Sequence, residues 1–423
     1  MDKNKLLDRY KSLDVLYKSH KDKNYEYLVN FSQTKNLPIH RWFYFVEGYS
    51  PKLVEKILNY LNVPVNSNTF VFDPFSGSGT TLLTAKQLGM RATGFEINPF
   101  AAFMIKVKIR NYLKRQIEDF KNFCPPAYKP ISKVYDKYEL KIIQNLFDNK
   151  ILEQIELLKT AINKVSDEKV KDLLYLALLA VLPVVSNYRK GGNGLKRKKV
   201  FKQTDTFNEF YIKSKEIYED LANSSLGNEP KIINDSCLNI KEYKTSNIDV
   251  SIFSPPYANC FDPFEVYKTE LWVGEFVKTY KELNTKRKLA LTSNLNANLK
   301  KDLNNSHRID LLDDIITYLS KSSLWDKRIP KMLDTYFFDM YLLLKELYKR
   351  TKKGSYCVIV VGNSAYGCLA IPTDIILGQV GEKVGFKVQE IIIARKNETS
   401  SQQHAKLDGY TDYLRESLII LKK

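Results

Sequence analysis

Seven short apolar runs, rich in β-branched and aromatic residues, occur along the chain and predict β-strands. They lie at residues 69–72, 92–95, 231–233, 249–253, 356–361, 388–394 and 416–421. Apolar residues at helical spacing occupy 53–61, 80–88 and 334–350. Strands that alternate with helices predict an α/β fold with a seven-stranded, mostly parallel sheet.

Two long stretches, 111–229 and 261–331, lie between predicted strands and are not needed for a minimal sheet domain. In the first, leucine and isoleucine recur at three- and four-residue spacing from 138 to 182, which predicts a helical insert. The longest apolar run, 173–185, contains a proline and is shorter than the roughly 20 residues of a membrane span, so we expect a buried helix. The resulting division is 1–110 (N-terminal helices and first half of the sheet domain), 111–229 (helical insert), 230–260 (third and fourth strands), 261–331 (second insert) and 332–423 (second half).

Acidic residues stand at the ends of three predicted strands, at Asp73, Glu96 and Asp235. Parallel sheets bind ligands at the carboxyl ends of their strands. The loop 73–81 carries Gly77 and Gly79, which let backbone approach a ligand, but it lacks the glycine spacing of a dinucleotide site and the lysine of a phosphate-binding loop. A cationic cofactor such as S-adenosylmethionine therefore suits Asp73, and Glu96 can accept both ribose hydroxyls.

The fourth strand ends in a proline turn, Ser254, Pro255, Pro256 and Tyr257. Proline has no N–H, so carbonyls here point away from any strand ladder as unpaired acceptors. The lone pair of an aromatic amine is delocalised, and acceptors on its N–H groups pull the nitrogen toward tetrahedral geometry. The Ser254 hydroxyl and the Pro255 carbonyl can serve as these acceptors, and the Tyr257 ring offers a stacking face for a flipped base. A proline turn with a buried tyrosine is the structural alternative.

The loop 73–81 together with Ser254-Pro-Pro-Tyr257 resembles the amino-group DNA methyltransferases of bacterial restriction-modification systems. The resemblance implies a class I methyltransferase fold, with S-adenosylmethionine as cofactor and Ser254 to Tyr257 as the catalytic motif. It assigns the methionine part of the cofactor to Asp73, Phe75, Gly77, Gly79 and Thr80. It assigns the ribose to Glu96 and the adenine amine to Asp235, and it includes Asn98 and Ser236 in the cofactor site. The serine form of the motif favours cytosine N4 as the methyl acceptor, with adenine N6 as the alternative.

The segment 41–53 is similar to a part of that family that helps to bind the methionine end, which makes Tyr44 and Ser50 further candidate cofactor residues. Ser50 and Pro51 also form a helix-start signal, a capping residue followed by proline at the first helical position. An amphipathic packing helix with an aromatic lead-in is the alternative interpretation.

The chain carries 66 Lys and Arg against 48 Asp and Glu, a net charge of +18, which is typical of a protein with a phosphate-bearing partner. Residues 186–202 are basic, glycine-rich and free of acids, so they predict contact with double-stranded DNA, or else a solvated charge run. The candidate DNA-binding residues are Arg189, Lys190, Lys196, Arg197, Lys198 and Lys199. The two inserts are the candidate target-recognition regions.

The five cysteines and four histidines are scattered, which predicts neither a disulfide framework nor a metal site. A charged start without an apolar core indicates no secretion signal, so a bacterial cytoplasmic enzyme without membrane or metal partners is expected. Cys260, three residues after Tyr257, leaves cytosine carbon-5 methylation as a disfavoured alternative. RNA, a protein amide, or a non-catalytic DNA-binding role are further alternatives. The resemblance also allows for a companion restriction endonuclease.

Overall fold

A computed structural model describes residues 3–192, 194–199, 204–224, 226–397, 407 and 409–423. The helices are α1 Lys3–Leu16, α2 Pro51–Tyr60, α3 Thr80–Gln87, α4 Pro99–Ile109, α5 Lys114–Lys121, α6 Ile143–Leu146, α7 Asn149–Ile162, α8 Glu168–Val185, α9 Thr206–Ala222, α10 Pro263–Val266, α11 Lys268–Val273, α12 Tyr280–Leu289, α13 Asp310–Ser320, α14 Ile329–Arg350 and α15 Thr373–Val384. The strands are β1 His20–Lys21, β2 Phe70–Asp73, β3 Arg91–Phe95, β4 Tyr188–Gly191, β5 Gly194–Arg197, β6 Lys231–Ile233, β7 Ile248–Phe253, β8 Thr351–Gly362, β9 Ser364–Tyr366, β10 Leu369–Ile371, β11 Lys387–Lys396 and β12 Arg415–Lys422.

The main sheet has the strand order β1-β11-β12-β8-β7-β2-β3-β6. Strand β12 is antiparallel to both of its neighbours, and the other pairs are parallel. All seven predicted strands are present, and the predicted α/β methyltransferase fold is confirmed. The short edge strand β1 was not predicted, since its two residues carry no apolar pattern. The order reverses between β2 and β7, which opens a crevice at the carboxyl ends of the strands.

Helices cover both faces of the sheet, so there is one hydrophobic core on each face. Successive residues of a strand point alternately into these two cores. Val71 faces a core shared with α2, α3, α4 and helices of the first insert, while Phe72 faces a core shared with α1, α13, α14 and α15. Strand β8 alternates in the same way, with Val358 on the first side and Ile359 on the second. Burial on both faces explains why the predicted strands are continuous apolar runs.

The segment 111–229 is mainly helical, and its helices pack on the sheet domain through a common core. Helix α8, capped by Asp167, contacts α4, and its Leu173, Leu176 and Leu179 are fully buried. The predicted buried helix at 173–185 is therefore present as the C-terminal part of α8. Across the described residues, no helix combines the length and apolarity required to cross a bilayer.

Candidate active site

A cavity of about 310 Å³ opens at the carboxyl edge of the sheet, where β2, β3, β6 and β7 end. The structure brings most of the candidate residues into its lining. These are Phe75, Gly77, Thr80, Glu96, Asn98, Asp235, Ser236, Ser254, Pro255, Pro256 and Tyr257. Four candidate cofactor residues, Asp73, Gly79, Tyr44 and Ser50, do not line it.

Asp73 lies directly beneath the cavity wall as the last residue of β2. Its side chain is 1% exposed, and Oδ1 accepts a 2.9 Å hydrogen bond from the Phe75 N–H. The Tyr49 hydroxyl lies 3.5 Å from Oδ2. Burial raises the pKa of Asp73 from 3.8 to about 7, although the hydrogen bonds with Phe75, Thr81 and Tyr49 oppose this rise. The carboxyl is thus prepared for a nearby positive charge.

The two loop glycines have different roles. Gly77 has φ +50°, lines the cavity, and donates its N–H to Glu96 Oε2 at 2.9 Å. Gly79, with φ +80°, precedes α3, and an added Cβ would come within 3.0 Å of the Ile105 side chain. Gly79 therefore allows close packing of the loop on α4, while Gly77 places backbone at the cavity.

Glu96 follows β3 and is held by backbone donors, since Oε1 accepts from the Asn98 N–H at 2.8 Å while Oε2 accepts from Gly77. Burial raises the pKa of Glu96 to about 7, and the backbone bonds oppose this rise. Asn98 caps α4 through Oδ1, and its buried Nδ2 has no partner among the described residues. An unsatisfied donor beside a fixed carboxyl suits a ligand that offers both acceptors and donors.

Asp235 follows β6 and is fixed by side chains of the turn after it. Its Oδ2 accepts from the Tyr243 hydroxyl at 2.8 Å, and Oδ1 accepts from Asn239 Nδ2 at 3.0 Å. Ser236 next to it caps the short 3-10 helix Cys237–Glu242 by accepting from the Leu238 N–H. Both residues thus have fixed positions in the cavity lining.

Tyr44 and Ser50 lie outside the cavity for local reasons. Tyr44 is 44% exposed and its ring packs against Phe31, while Ser50 is fully buried as the N-cap of α2. The predicted helix start is confirmed at Ser50 and Pro51. The residues between them line the cavity instead: Phe45, Val46, Glu47, Gly48 and Tyr49. The aromatic character of the segment indicated its location, but not which side chains face inward.

The proline turn after β7 places Ser254 and Tyr257 side by side, with the Ser254 hydroxyl donating to the Tyr257 oxygen at 3.5 Å. The Tyr257 hydroxyl donates to Glu416 Oε1 at 2.5 Å, and Arg395 Nε donates to Glu416 Oε2 at 2.6 Å. Burial raises the pKa of the Tyr257 hydroxyl well above its usual value. Gly362 admits the ring, since a Cβ there would lie 2.7 Å from Tyr257. Glu416 and Arg395 line the cavity and were missed, because no motif marks them.

The second insert contributes to the same cavity through Arg287, Ser293 and Asn294. Cys260 does not line it. Its sulfur lies 3.4 Å from the Tyr366 hydroxyl, and burial raises the pKa of the thiol, which disfavours a nucleophilic thiolate. Among the described residues, no group of three or more His, Cys, Asp or Glu side chains could hold a metal ion.

The basic segment after α8 forms an antiparallel hairpin, β4 paired with β5, instead of an irregular charge run. The structure separates the six candidate DNA-binding residues into two groups. Lys190 is buried against Glu270, and Lys198 Nζ donates to the Pro183 and Val184 carbonyls at the end of α8. These two side chains have internal partners, so the prediction of DNA contact does not suit their positions. The four that remain exposed, called the hairpin cations below, are Arg189, Lys196, Arg197 and Lys199.

Comparison with known proteins agrees with this geometry. Residues 2–106 match a family model of N6/N4 methyltransferases described as DNA methylase. The Type II methyltransferase M.AvaI of Nostoc sp. is 28% identical, over 90% of this chain and 86% of its own length. M.BsoBI of Geobacillus stearothermophilus is 27% identical, over 94% and 88%. M.MvaI of Kocuria varians is 25% identical, over 88% and 87%. All three are named Type II methyltransferases.

Proposed function

Since this chain is a Type II DNA methyltransferase of the N4/N6 amino-methyltransferase family, we propose that it methylates an exocyclic amine of a flipped base, with cytosine N4 as the acceptor. The observation that carries the proposal is one cavity that contains the Ser254 to Tyr257 turn together with the acids that follow β3 and β6. The matching family is described as DNA methylase, so RNA, protein-amide and non-catalytic alternatives have no support.

The cofactor we propose is S-adenosylmethionine, which enzymes of this family use. When bound, it supplies a methyl group activated by attachment to a sulfonium. The residues present fit it: Glu96 and Asp235 would accept from ribose hydroxyls and the adenine amine. Asn98 also lines the cavity, and its buried Nδ2 has no hydrogen-bond partner among the described residues. Asp73 beneath the cavity, with a pKa raised to about 7, would interact favourably with a positive charge. We retain Phe75, Gly77 and Thr80 as cavity-lining contacts.

The turn would polarise the amine through acceptors whose orientation is set by Glu416. The Tyr257 hydroxyl donates to Glu416 Oε1, and Arg395 Nε donates to the other oxygen of the same carboxyl group. The Tyr257 oxygen can then only accept from Ser254. This leaves the lone pairs of Ser254 Oγ available to the N–H of a base.

A second acceptor is the Pro255 carbonyl, which receives no hydrogen bond from the described residues. With Ser254 Oγ, it would bind both N–H groups of an amine and draw the nitrogen out of conjugation. The proton released after methylation would leave from the same acceptors toward solvent. The Tyr257 ring in the cavity wall would stack on the base.

The test is mass spectrometry of nucleosides from DNA incubated with the protein and isotope-labelled S-adenosylmethionine. Label in N4-methylcytosine is the expected result. Label in N6-methyladenine would show that the methyl acceptor is adenine N6 and not cytosine N4. Label in 5-methylcytosine would refute the amine mechanism. A companion restriction endonuclease acting at the same sequence remains part of the proposal, to be tested by cleavage of DNA that the protein has not methylated.

A further inference from the structure

We propose that the hairpin β4–β5 reads a guanine of the target site through Arg189, while Lys190 anchors the hairpin from its opposite face. The inference rests on the proposed function, because a sequence-reading element requires a DNA substrate. The two residues are adjacent in sequence, but neighbouring strand residues point to opposite faces. Arg189 opposes Lys196 on one face, and Lys190 opposes Leu195 on the other.

The anchored face is fixed to the cavity wall. Lys190 Nζ lies 2.6 Å from Glu270 Oε1, and Glu270 is fully buried. The same ammonium lies 4.0 Å above the centre of the Tyr267 ring and 4.7 Å above that of Phe43. Tyr267 lines the cavity, and its hydroxyl oxygen accepts from the Val46 N–H at 2.8 Å. The hairpin therefore has a defined position relative to the site of chemistry.

The outer face, which carries Arg189 and Lys196, concentrates positive charge. Arg189 and Lys196 form a directly opposed cross-strand pair, an arrangement of like charges that destabilises a hairpin. Neither has an ion-pair partner among the described residues, and both are exposed. The next pair on this face is Gly191 and Gly194, and a Cβ at Gly191 would lie 3.2 Å from Lys196 Cδ and 3.6 Å from Arg189 Nη1. Both basic side chains thus lie over glycine, on a face suited to an acceptor-rich partner.

The geometry points to base edges as well as phosphates. The major groove of DNA admits a two-stranded β-ribbon, and glycines between the basic side chains permit close approach. A basic side chain is attracted to phosphates over a range of positions. A hydrogen bond to a base edge instead requires a donor held to within a fraction of an ångström. The buried anchor at Lys190 holds the strand backbone from which Arg189 extends. Arginine forms bidentate bonds to O6 and N7 of guanine, the commonest specific contact in this groove.

The experiment compares Arg189→Lys with Arg197→Lys, a matched change on the other face of the hairpin. Both variants keep the charge, so the salt dependence of DNA affinity should remain that of the wild type. Methylated positions are mapped by long-read sequencing of DNA treated with each purified protein. We expect Arg189→Lys to raise methylation of sites altered at one guanine by roughly tenfold or more relative to the intact site. Arg197→Lys should leave the methylated sequence unchanged.

An unchanged sequence preference in the Arg189→Lys protein, at any rate of methylation, would overturn this inference alone. Absence of methylation by the wild-type protein would overturn the proposed function and this inference with it. If both variants methylate altered sites more readily, the sequence preference depends on the hairpin as a whole and not on Arg189. That result would also overturn the assignment to Arg189.

Discussion

Asp73 should destabilise the protein while it serves the cofactor, and Asp73→Asn tests this directly. The carboxyl is 1% exposed, and burial raises its pKa from 3.8 to about 7. At about 1.4 kcal/mol per pKa unit, ionised Asp73 costs the ligand-free protein on the order of 4 kcal/mol above pH 7. Asparagine has nearly the same shape, and its Oδ1 can still accept from Phe75.

The sign of the pH dependence follows from linkage. The folded-state pKa lies above the unfolded value, so between pH 4 and 7 the folded state binds more protons and wild-type stability falls as pH rises. The Asp73→Asn protein lacks this fall. Its stability relative to wild type should therefore increase by about 3 kcal/mol between pH 5 and pH 8. Binding of S-adenosylmethionine to the variant should be abolished.

The assay is urea unfolding of both ligand-free proteins at pH 5 and 8, with calorimetric titration of S-adenosylmethionine. The control is Asp302→Asn, because Asp302 is exposed and has no ion pair among the described residues. A stability difference that does not change with pH would refute the burial argument. Retained cofactor affinity in Asp73→Asn would refute the proposed electrostatic role.

Three further changes test other parts of the site. Ser254→Ala should lower the single-turnover methylation rate by roughly a hundredfold with cofactor affinity unchanged, and an unaltered rate would remove Ser254 from the mechanism. Lys190→Met should lower the free energy of unfolding by about 3–5 kcal/mol in urea titrations, because it leaves Glu270 buried without its cation. Lys190→Met with Glu270→Met should restore most of this stability, and failure to do so would show that the ion pair is not the cause. Replacing all four hairpin cations by glutamine should weaken DNA binding. The slope of log affinity against log salt concentration should fall in magnitude by about 0.9 for each phosphate that is no longer neutralised. A slope equal to that of the wild type would exclude a role for these cations in phosphate binding.

Much of the fold was predictable because its signals are local. The seven apolar runs fixed the strands to within a few residues, apart from β8, which begins at Thr351 instead of 356. Lys352 and Lys353 near the start of β8 are exposed and basic, so the apolar pattern starts late. Acids at strand ends and the proline turn identified the carboxyl edge of the sheet as the site, since parallel strands end together.

The amino-acid sequence determined the chemistry at the strand ends, and the tertiary structure decided which side chains can use it. Glu416 lies 159 residues from Tyr257, and only the antiparallel pairing of β12 with β8 brings them together. Lys190 and Arg189 are equivalent basic residues in sequence, but strand alternation buries one and exposes the other. Tertiary packing likewise places Asp73 beneath the cavity, and its burial there raises its pKa. These properties depend on packing between distant segments, while strand patterns and turns are specified by neighbouring residues.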